Sequence, residues 1–316
     1  METAVIVDAV RTPMGKRNGS LAGWHPVDLA AETLTALVER NSLDPVLVDD
    51  VIMGCVSQVG EQTFNVGRNA ALAAGWPETV PGVTLDRQCG SSQQAAHFAA
   101  QGVMAGVYDV VVAAGVESMT RVPMGISFSQ GPGQPFGTKM RTRYDHRLVP
   151  QGISAEMIAE QWSLTRGDLD QIAYDSQMRA NRATVEGRFD SQIISIAVEG
   201  QDEPLTIDEG IRPSTTVEVL GRLKPAFKED GIVTAGNSSQ ITDGAAAMLI
   251  MSETKAKEFG LRPRATFKGF SVVGTDPVTM LTGPIPATRI VLEKAGLTID
   301  DIGLFEVNEA FASVVG

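Results

Sequence analysis

The chain has 316 residues and a formal net charge of −12, with 26 Lys and Arg against 38 Asp and Glu. With 43% hydrophobic, 20% charged and 5% aromatic residues, the composition is that of an ordinary globular protein and excludes a disordered or fibrous chain, and the length predicts about two domains. The acidic balance disfavours a general nucleic-acid binder, which needs a basic face, but still permits an anionic small ligand.

The two cysteines, Cys55 and Cys89, are too few for a disulfide scaffold and favour a reducing compartment. The N-terminal segment lacks the basic and long apolar regions of a signal peptide. No apolar run approaches the roughly 18 residues of a transmembrane helix. We therefore expect a protein of the cytoplasm, or of an organelle matrix if the source is eukaryotic, with no membrane partner.

Short apolar strands alternate with amphipathic helices in the first part of the chain, which is the α/β pattern. Strands are predicted at 4–7, 50–56, 80–85 and 108–114, and helices at 27–40 and 91–105. The last of these strands, Tyr108 to Ala114, is apolar along most of its length, so we expect it to be buried on both faces.

A change of texture begins at Met119, where Gly, Pro, Ser, Gln and basic residues become frequent. This stretch predicts an inserted loop region. Helices are expected to resume at 154–162 and 168–187, the second with Thr165 and Asp168 as possible capping residues. Residues 193–198 and 231–251 are expected to form strands and a helix that return to the core.

A weak internal repeat links the two ends of the chain. A predicted strand, a helix and an Asp-Asp pair before an apolar run occur around Asp49-Asp50 and again around Asp300-Asp301. Such an order is also common by chance, so a true duplication is one of two interpretations. If it is a duplication, only 15 residues follow Asp301, and the second half would be incomplete with apolar edges uncovered.

Cys89 is the residue with the clearest chemical context. It follows an apolar strand, and Gly90, Ser91 and Ser92 separate it from an Ala-rich helix. A helix N-terminus stabilises a thiolate through its unpaired amides and its dipole, and the same amides can stabilise an oxyanion. A free cysteine is more often a small core residue, which is our interpretation of Cys55, but the neighbours of Cys89 favour a nucleophile.

The three histidines do not identify a base for this thiol. His97 falls about two turns into the predicted helix, where packing is the simpler role. His25 stands beside Pro26, and His146 lies in the basic part of the insert. The residues alone therefore leave the base unassigned.

Six segments carry a resemblance to a known family. They are Asp8-Ala9-Val10-Arg11-Thr12-Pro13, Asp86-Arg87-Gln88-Cys89-Gly90-Ser91-Ser92, Ala114-Gly115-Val116-Glu117-Ser118-Met119, Thr234-Ala235-Gly236-Asn237-Ser238-Ser239, Gly283-Pro284-Ile285-Pro286-Ala287 and Asn308-Glu309-Ala310-Phe311-Ala312. In this order, over nearly the whole chain, they resemble the thiolases, which are acyl-CoA:acetyl-CoA C-acyltransferases.

The resemblance implies a thiolase-like α/β fold of two duplicated mixed-sheet halves in five layers, αβαβα, with an inserted loop domain. The expected division is an N-terminal half at 1–118, a CoA-covering loop region at 119–234, a return to the first half at 235–263 and the start of an apparently incomplete second half at 264–316.

The resemblance also implies roles for individual residues. Cys89 would be the nucleophile that becomes acylated, and Asn308 would hold a water in the oxyanion hole for the thioester carbonyl. Ser239 would contact the pantetheine arm of CoA, and Arg212 would lie at its adenosine end. Small or apolar residues beside the pantetheine arm are expected at Ala235, Met280, Ala310 and Phe311. Without the resemblance, we would interpret Ser239 as a loop residue, Met280 as core and Arg212 as solvated surface.

Two departures from the family pattern concern the type of thiolase. Asp86 and Ser92 stand where the usual cysteine segment has Asn and Gly, and Pro150-Gln151-Gly152 replaces a His-Met-Gly of biosynthetic members. Both departures favour the degradative thiolases of fatty-acid β-oxidation. The segment around Cys89 is also similar to thiolases that act on bulky or steroid-derived side chains.

A third departure is an absence. The family's Gly-His-Pro segment and its second catalytic Cys, in a Cys-x-Gly-Gly context, do not follow Asn308. In the family that His activates the nucleophile and that Cys transfers a proton. We therefore expect the 316-residue chain to be a fragment, and predict little or no thiolysis and poor stability for it in isolation. Thiolysis at a rate ordinary for the family, measured on the purified chain, would contradict this.

The preferred function is thus a thiolase that works through an acyl-Cys89 intermediate, by cleavage of 3-ketoacyl-CoA or the reverse Claisen condensation. Coenzyme A and acetyl-CoA would be substrates and not permanently bound cofactors, no metal or nucleic acid is expected, and assembly would be a homodimer or homotetramer. The alternative is a non-catalytic CoA-thioester-binding or assembly subunit with this fold. A ketoacyl synthase is disfavoured by the Asn-Glu-Ala-Phe and Gly-Asn-Ser-Ser segments.

Overall fold

The computed structural model describes residues 2–316, which divide into two compact units. Unit 1 comprises the chain up to Gly133, Arg188–Gly210 and Ile241–Phe267, and unit 2 comprises Gln134–Gly187, Ile211–Gln240 and Lys268–Gly316. The segment expected as one insertion, 119–234, is shared between both units, so these units and the boundaries expected from sequence divide the chain differently.

Unit 1 is built on a seven-stranded mixed sheet. Its strands are β1 (Ala4–Arg11), β2 (Gly15–Lys16), β3 (Asp50–Gly54), β4 (Gly82–Leu85), β5 (Val110–Ser118), β6 (Thr242–Ser252) and β7 (Ala265–Thr266). They lie in the order β4-β3-β5-β6-β1-β7, with β2 paired to β6. Strand β3 is parallel to β4 and β5, and the other pairs are antiparallel. The predicted α/β class with a mixed sheet is confirmed.

The helices are distributed over both units. They are α1 (Pro26–Arg40), α2 (Val66–Ala73), α3 (Ser91–Met104), α4 (Ile126–Ser129), α5 (Thr138–Arg143), α6 (Gln151–Gln161), α7 (Arg166–Val185), α8 (Val217–Gly221), α9 (Glu253–Glu258), α10 (Pro284–Ala295) and α11 (Ala312–Val315), with 3₁₀ turns at Pro45–Leu47, Gly60–Gln62 and Ile299–Asp301. No helix among residues 2–316 combines the length and apolar character needed to cross a membrane.

Strand β5 lies at the centre of unit 1 and is buried along nearly its whole length. Alternate residues, such as Val112 and Ala114, pack in one core with Leu34 of α1 and Ala70 of α2. Because side chains alternate between the faces of a strand, Gly115 points to the opposite face, where an added Cβ would meet the first turn of α3. Helices therefore cover both faces of the sheet, as its apolar strands require.

Unit 2 has a smaller core between two helices and two loops. Ala155 and Ala159 of α6 and Leu169 of α7 pack with Val233 and Phe311, which come from irregular segments. The helices predicted at 154–162 and 168–187 are α6 and α7, each starting two or three residues earlier than expected. Thr165 and Asp168 form a reciprocal capping box at the start of α7, as their positions predicted.

Two segments do not have the secondary structure expected from sequence. Residues 193–198 form no strand and make only isolated bridges, Arg11 with Ile193 and Ile196 with Leu205. In 231–251 the expected helix is wrong, because 231–241 is irregular and 242–252 is the single strand β6. The backbone of 232–234 is bound by side chains, including Glu156 and Asn237, and such contacts compete with regular ladders.

The second copy of the predicted repeat is only partly regular. Helix α10 and the following 3₁₀ turn correspond to α1 and the turn before β3. The strand expected over 265–270 is limited to Ala265–Thr266, and no described strand pairs with 302–307. A strand needs a neighbour to bind its backbone, and this stretch has none and is irregular. Its Leu304 and Phe305 are 93% and 57% exposed.

Candidate active site

Cys89 lies in a tight turn between β4 and α3, directly before the N-cap residue Gly90, and its side chain is exposed. Gln88 has a φ of +49°, in the left-handed region that few non-glycine residues adopt. Asp86 supports that conformation, because its Oδ1 accepts the Gln88 N–H at 2.6 Å. The turn thus presents the thiol outward at the beginning of a helix, where the sequence placed it.

The hydroxyl of Ser91 closes the same turn. It accepts the Arg87 N–H at 2.9 Å and donates to the Gln88 carbonyl at 2.6 Å. No side chain caps the start of α3. The Ser91 N–H donates to the Gln88 carbonyl at 3.0 Å, which leaves the amides of Ser92 and Gln93 as the first-turn donors for a ligand. These amides and the helix dipole favour negative charge beside Cys89, whether on the thiolate or on an oxyanion.

Two glycines allow α3 to approach the sheet this closely. Gly54 ends β3, and Gly115 is its direct neighbour in β5. A Cβ on Gly54 would overlap the backbone of Ser91 and Ser92, and a Cβ on Gly115 would overlap the Ser92 side chain. Glycine at both positions is therefore a steric condition for the position of the Cys89 turn.

Cys55 has a different environment from Cys89. It is 1% exposed, as its core interpretation predicted. Burial, followed by the nearby carboxylates of Glu117 and Asp86, raises the pKa of the Cys55 thiol to about 12. Glu117 also accepts the N–H groups of Val56 and Ser57 at 2.8 and 3.1 Å. Cys55 is thus a protonated core residue beneath a loop that Glu117 anchors.

The other predicted site residues belong to unit 2, where two loops are joined. The Ser239 N–H donates to the Ala310 carbonyl at 2.9 Å, and Ser238 forms an isolated bridge with Phe311. Asn308 lies two residues before Ala310, whose N–H donates to the Asn308 carbonyl at 2.9 Å. The structure therefore brings together the segments that carry Ser239, Ala310 and Asn308.

Exposure separates these residues into two groups. The side chains of Ala235, Ser239, Met280 and Asn308 are exposed, and Ala310 is half-buried. Phe311 is 6% exposed, and its ring meets that of Phe227 edge to face at 5.8 Å between centroids. The structure thus gives Phe311 a packing role in the core of unit 2.

Arg212 is exposed and connects to the rest of unit 2 through its backbone. Its N–H donates to Oε1 of Gln177 on α7 at 2.7 Å. The structure shows no direct hydrogen bond from Arg212 to the Ser239 or Asn308 segments. Its guanidinium is available to an anion.

Sequence reasoning did not identify Gly54, Gly115 or Asn237 as determinants of the site. For the glycines a signal exists, because a glycine within an apolar strand pattern indicates close approach of another backbone. For Asn237 the signal is weaker. Asn237 binds Asp170 through its side chain and Ala312 through its backbone, and both partners lie far along the chain. From sequence, a turn residue is the simpler interpretation of Asn before Ser.

Comparison with known proteins gives a consistent result. The family model for the thiolase N-terminal domain matches residues 4–254, and that for the thiolase C-terminal domain matches 261–315. The chain is 49% identical to the steroid 3-ketoacyl-CoA thiolase FadA6 of Mycobacterium tuberculosis, over 100% of this chain and 78% of that protein. It is 46% identical to a 3-ketoacyl-CoA thiolase of Pseudoalteromonas translucida, over 99% of this chain and 80% of the relative.

A solved structure supports the same fold. The acetyl-CoA acetyltransferase of Bacillus anthracis matches with a TM-score of 0.89 and 41% identity, over 100% of this chain and 82% of that one. The sequence comparisons and the fold comparison therefore identify the same family.

The two glycines predict different responses to added volume. Gly54→Ala should lower the free energy of unfolding by about 1–3 kcal/mol, because the new Cβ meets backbone that cannot rotate away. Gly115→Ala overlaps only the Ser92 side chain and makes an ordinary contact with the Gly54 carbonyl, so Ser92→Gly should restore stability to Gly115→Ala but not to Gly54→Ala. Denaturant unfolding measures both. Gly23→Ala, which has nothing within 4 Å of its Cβ, is the control, and rescue of Gly54→Ala by Ser92→Gly would refute the distinction.

The two thiols should differ in alkylation. At neutral pH, iodoacetamide should modify Cys89 and leave Cys55 unmodified, because Cys55 is buried and its pKa of about 12 keeps the reactive thiolate scarce. Peptide mass spectrometry of the native protein measures this, and denaturation before labelling should make both residues react. Comparable native labelling at both positions would contradict the structure.

Proposed function

The chain belongs to the thiolase family and is an acyltransferase, and on that premise we propose that Cys89 is its nucleophile. The observation that carries this proposal is the exposed Cys89 thiol at the uncapped start of α3. The other cysteine, Cys55, is buried and held protonated. Of the two thiols in the sequence, only Cys89 can meet a substrate.

The proposed reaction has two acyl-transfer steps. The Cys89 thiolate attacks the C3 carbonyl of a 3-ketoacyl-CoA, a bond forms between sulfur and C3, and the bond between C2 and C3 breaks. Its electron pair stays on C2, which takes a proton from water, and the two-carbon fragment leaves as acetyl-CoA. The thiol of free CoA then gives its proton to the hydroxide left by the first step and attacks the acyl-Cys89 thioester. The carbon–sulfur bond to Cys89 breaks, Cys89 leaves as the thiolate, and an acyl-CoA shortened by two carbons is released. The start of α3 stabilises the negative charge that develops in both steps.

The unit 2 residues are assigned to the CoA thioester. Asn308 has an exposed side chain without a hydrogen bond to the described residues, so its amide can orient a water toward a thioester carbonyl without titrating. Ser239 and Ala235 offer small exposed groups to the pantetheine arm, with Met280, Ala310 and Phe311 as apolar neighbours. Arg212 is the cation for the phosphates at the adenosine end.

The substrate class follows from the relatives' names and from the cysteine segment. FadA6 is named a steroid 3-ketoacyl-CoA thiolase, and the Pseudoalteromonas relative a 3-ketoacyl-CoA thiolase. We assign this chain to the degradative direction, on 3-ketoacyl-CoA with a bulky acyl group. Coenzyme A and acetyl-CoA bind and dissociate in each turnover as substrate and product and are not permanently bound.

The proposed assembly is a homo-oligomer, a dimer or a tetramer. Strand β4 is an edge of the sheet, and its Val83 is 43% exposed. An open strand edge with an apolar side chain favours pairing with another chain. The proposed location is the cytoplasm or an organelle matrix, where two unpaired thiols stay reduced.

The test of the nucleophile is covalent. Incubation with a CoA thioester, followed by acid quenching and peptide mass spectrometry, should give an S-acyl adduct on Cys89, and addition of free CoA should remove it. Cys89→Ser should abolish the adduct and keep CoA binding, whereas the matched control Cys55→Ala should keep both. An adduct that persists in Cys89→Ser would refute the assignment, and CoA binding without any adduct would favour the non-catalytic subunit.

A further inference from the structure

Helix α7 contacts each of three unit 2 segments to which the proposed function assigns CoA-binding or oxyanion residues. These are the Thr234–Ser239 loop, the Asn308–Ala312 loop and the chain at Arg212. The first two loops lie in irregular stretches of chain, 231–241 and 302–310. These stretches contain no helix and no strand, only isolated bridges. Their positions therefore depend on contacts with neighbouring elements.

Asp170 is the most buried polar residue of α7, with 2% exposure. Its Oδ2 accepts Nε of Arg166 at 2.7 Å, and its Oδ1 accepts Nδ2 of Asn237 at 2.9 Å. Arg166 in turn donates to the carbonyls of Leu220 and Leu223 at 2.6 and 3.0 Å. A buried carboxylate with a fixed cation and a single amide partner holds that amide in one orientation.

Asn237 transmits this restraint to both loops. Its Nδ2 also donates to the Ile232 carbonyl at 3.1 Å, and its Oδ1 accepts the Thr234 N–H at 2.8 Å. Its backbone carbonyl accepts the Ala312 N–H at 2.9 Å. The Asn237 side chain therefore fixes the start of one loop, while its backbone holds the end of the other.

Two further residues of α7 reach the remaining segments. The Ser176 hydroxyl donates to Oε2 of Glu309 at 2.6 Å, directly after Asn308. Gln177 Oε1 accepts the Arg212 N–H at 2.7 Å. Along one helix, Asp170, Ser176 and Gln177 thus contact the segments of Ser239, Asn308 and Arg212, and a helix keeps such contacts at fixed spacing.

We infer that α7 sets the relative positions of the segments that bind the CoA thioester, with Asp170 as the principal positioning residue. Asp170 is not a catalytic residue, because it acts through Asn237. The inference rests on the proposed function for the ligand, but the coupling between loops can be measured without any ligand. Ser239, Asn308 and Arg212 are exposed, so small movements of their backbones would change how well they fit one ligand together.

The principal variant is Asp170→Asn, which keeps the shape and removes the charge. It should weaken CoA binding about tenfold or more, the size expected for loss of a charge-assisted hydrogen bond. Backbone amide hydrogen exchange should increase in 232–239 and in 308–312 together, because both loops depend on Asn237. The matched control is Asp175→Asn at a half-buried position of α7, where Asp175 binds Gln171 and Arg179 and none of the three segments, and it should change neither quantity.

Two milder variants keep the inference testable if Asp170→Asn does not fold. Ser176→Ala should speed exchange only around 308–310, and Gln177→Ala only around 211–213, each with CoA binding weakened about threefold, as for a neutral hydrogen bond. Alkylation of Cys89 should be unchanged in every variant, which shows that unit 1 is intact.

The outcomes separate the two claims. A lower melting temperature for Asp170→Asn with unchanged CoA affinity and no joint change in exchange would overturn the positioning role and leave only a structural one. If the unmodified protein binds no CoA, the proposed function fails, and the exchange experiment still decides whether α7 couples the loops. Exchange that rises in one loop alone would also refute the coupling.

Discussion

The approach of the first turn of α3 to the carboxyl end of β3 and to the neighbouring part of β5 is the contact on which the Cys89 site depends. Strand β3 is parallel to β5, and Gly54 and Gly115 are partners in their register. Because neither residue has a side chain, the first turn of α3 can pack directly against the sheet. Cys89 is then exposed, while Cys55 is buried. The same backbone path thus makes one thiol accessible and the other inert.

The regular part of the fold could be predicted from the sequence because its signals are local. The apolar run around Val112 predicted a buried strand, and the residues after Cys89 predicted the start of α3. The limits of β5 were less predictable. It begins at Val110, where the Asp49 carboxylate binds the N–H groups of Asp109 and Val110. A contact between residues so far apart in sequence does not show in the pattern of apolar residues.

The candidate site was predictable only in part, for the same reason. The residues next to Cys89 predict a nucleophile, whereas the roles of Asn308, Ser239 and Arg212 are predicted only by the resemblance to the thiolases. The apolar residues of segments 193–198 and 231–241 predict strands, but both segments are irregular. Their backbones are instead satisfied by side chains such as Glu156 and by isolated bridges.

Asn237 carries a consequence for the chemical ageing of the protein. Asparagine slowly converts to aspartate when its side-chain carbonyl can rotate toward the following backbone nitrogen, and a small residue such as Ser238 hinders that attack little. Here the amide is tied to Asp170, Ile232 and Thr234, which restrains the rotation. Were the conversion to occur, two donors would be lost and a second carboxylate would face Asp170 in a buried place, where like charges repel strongly. The contacts that orient the loop therefore also slow the reaction that would destroy it.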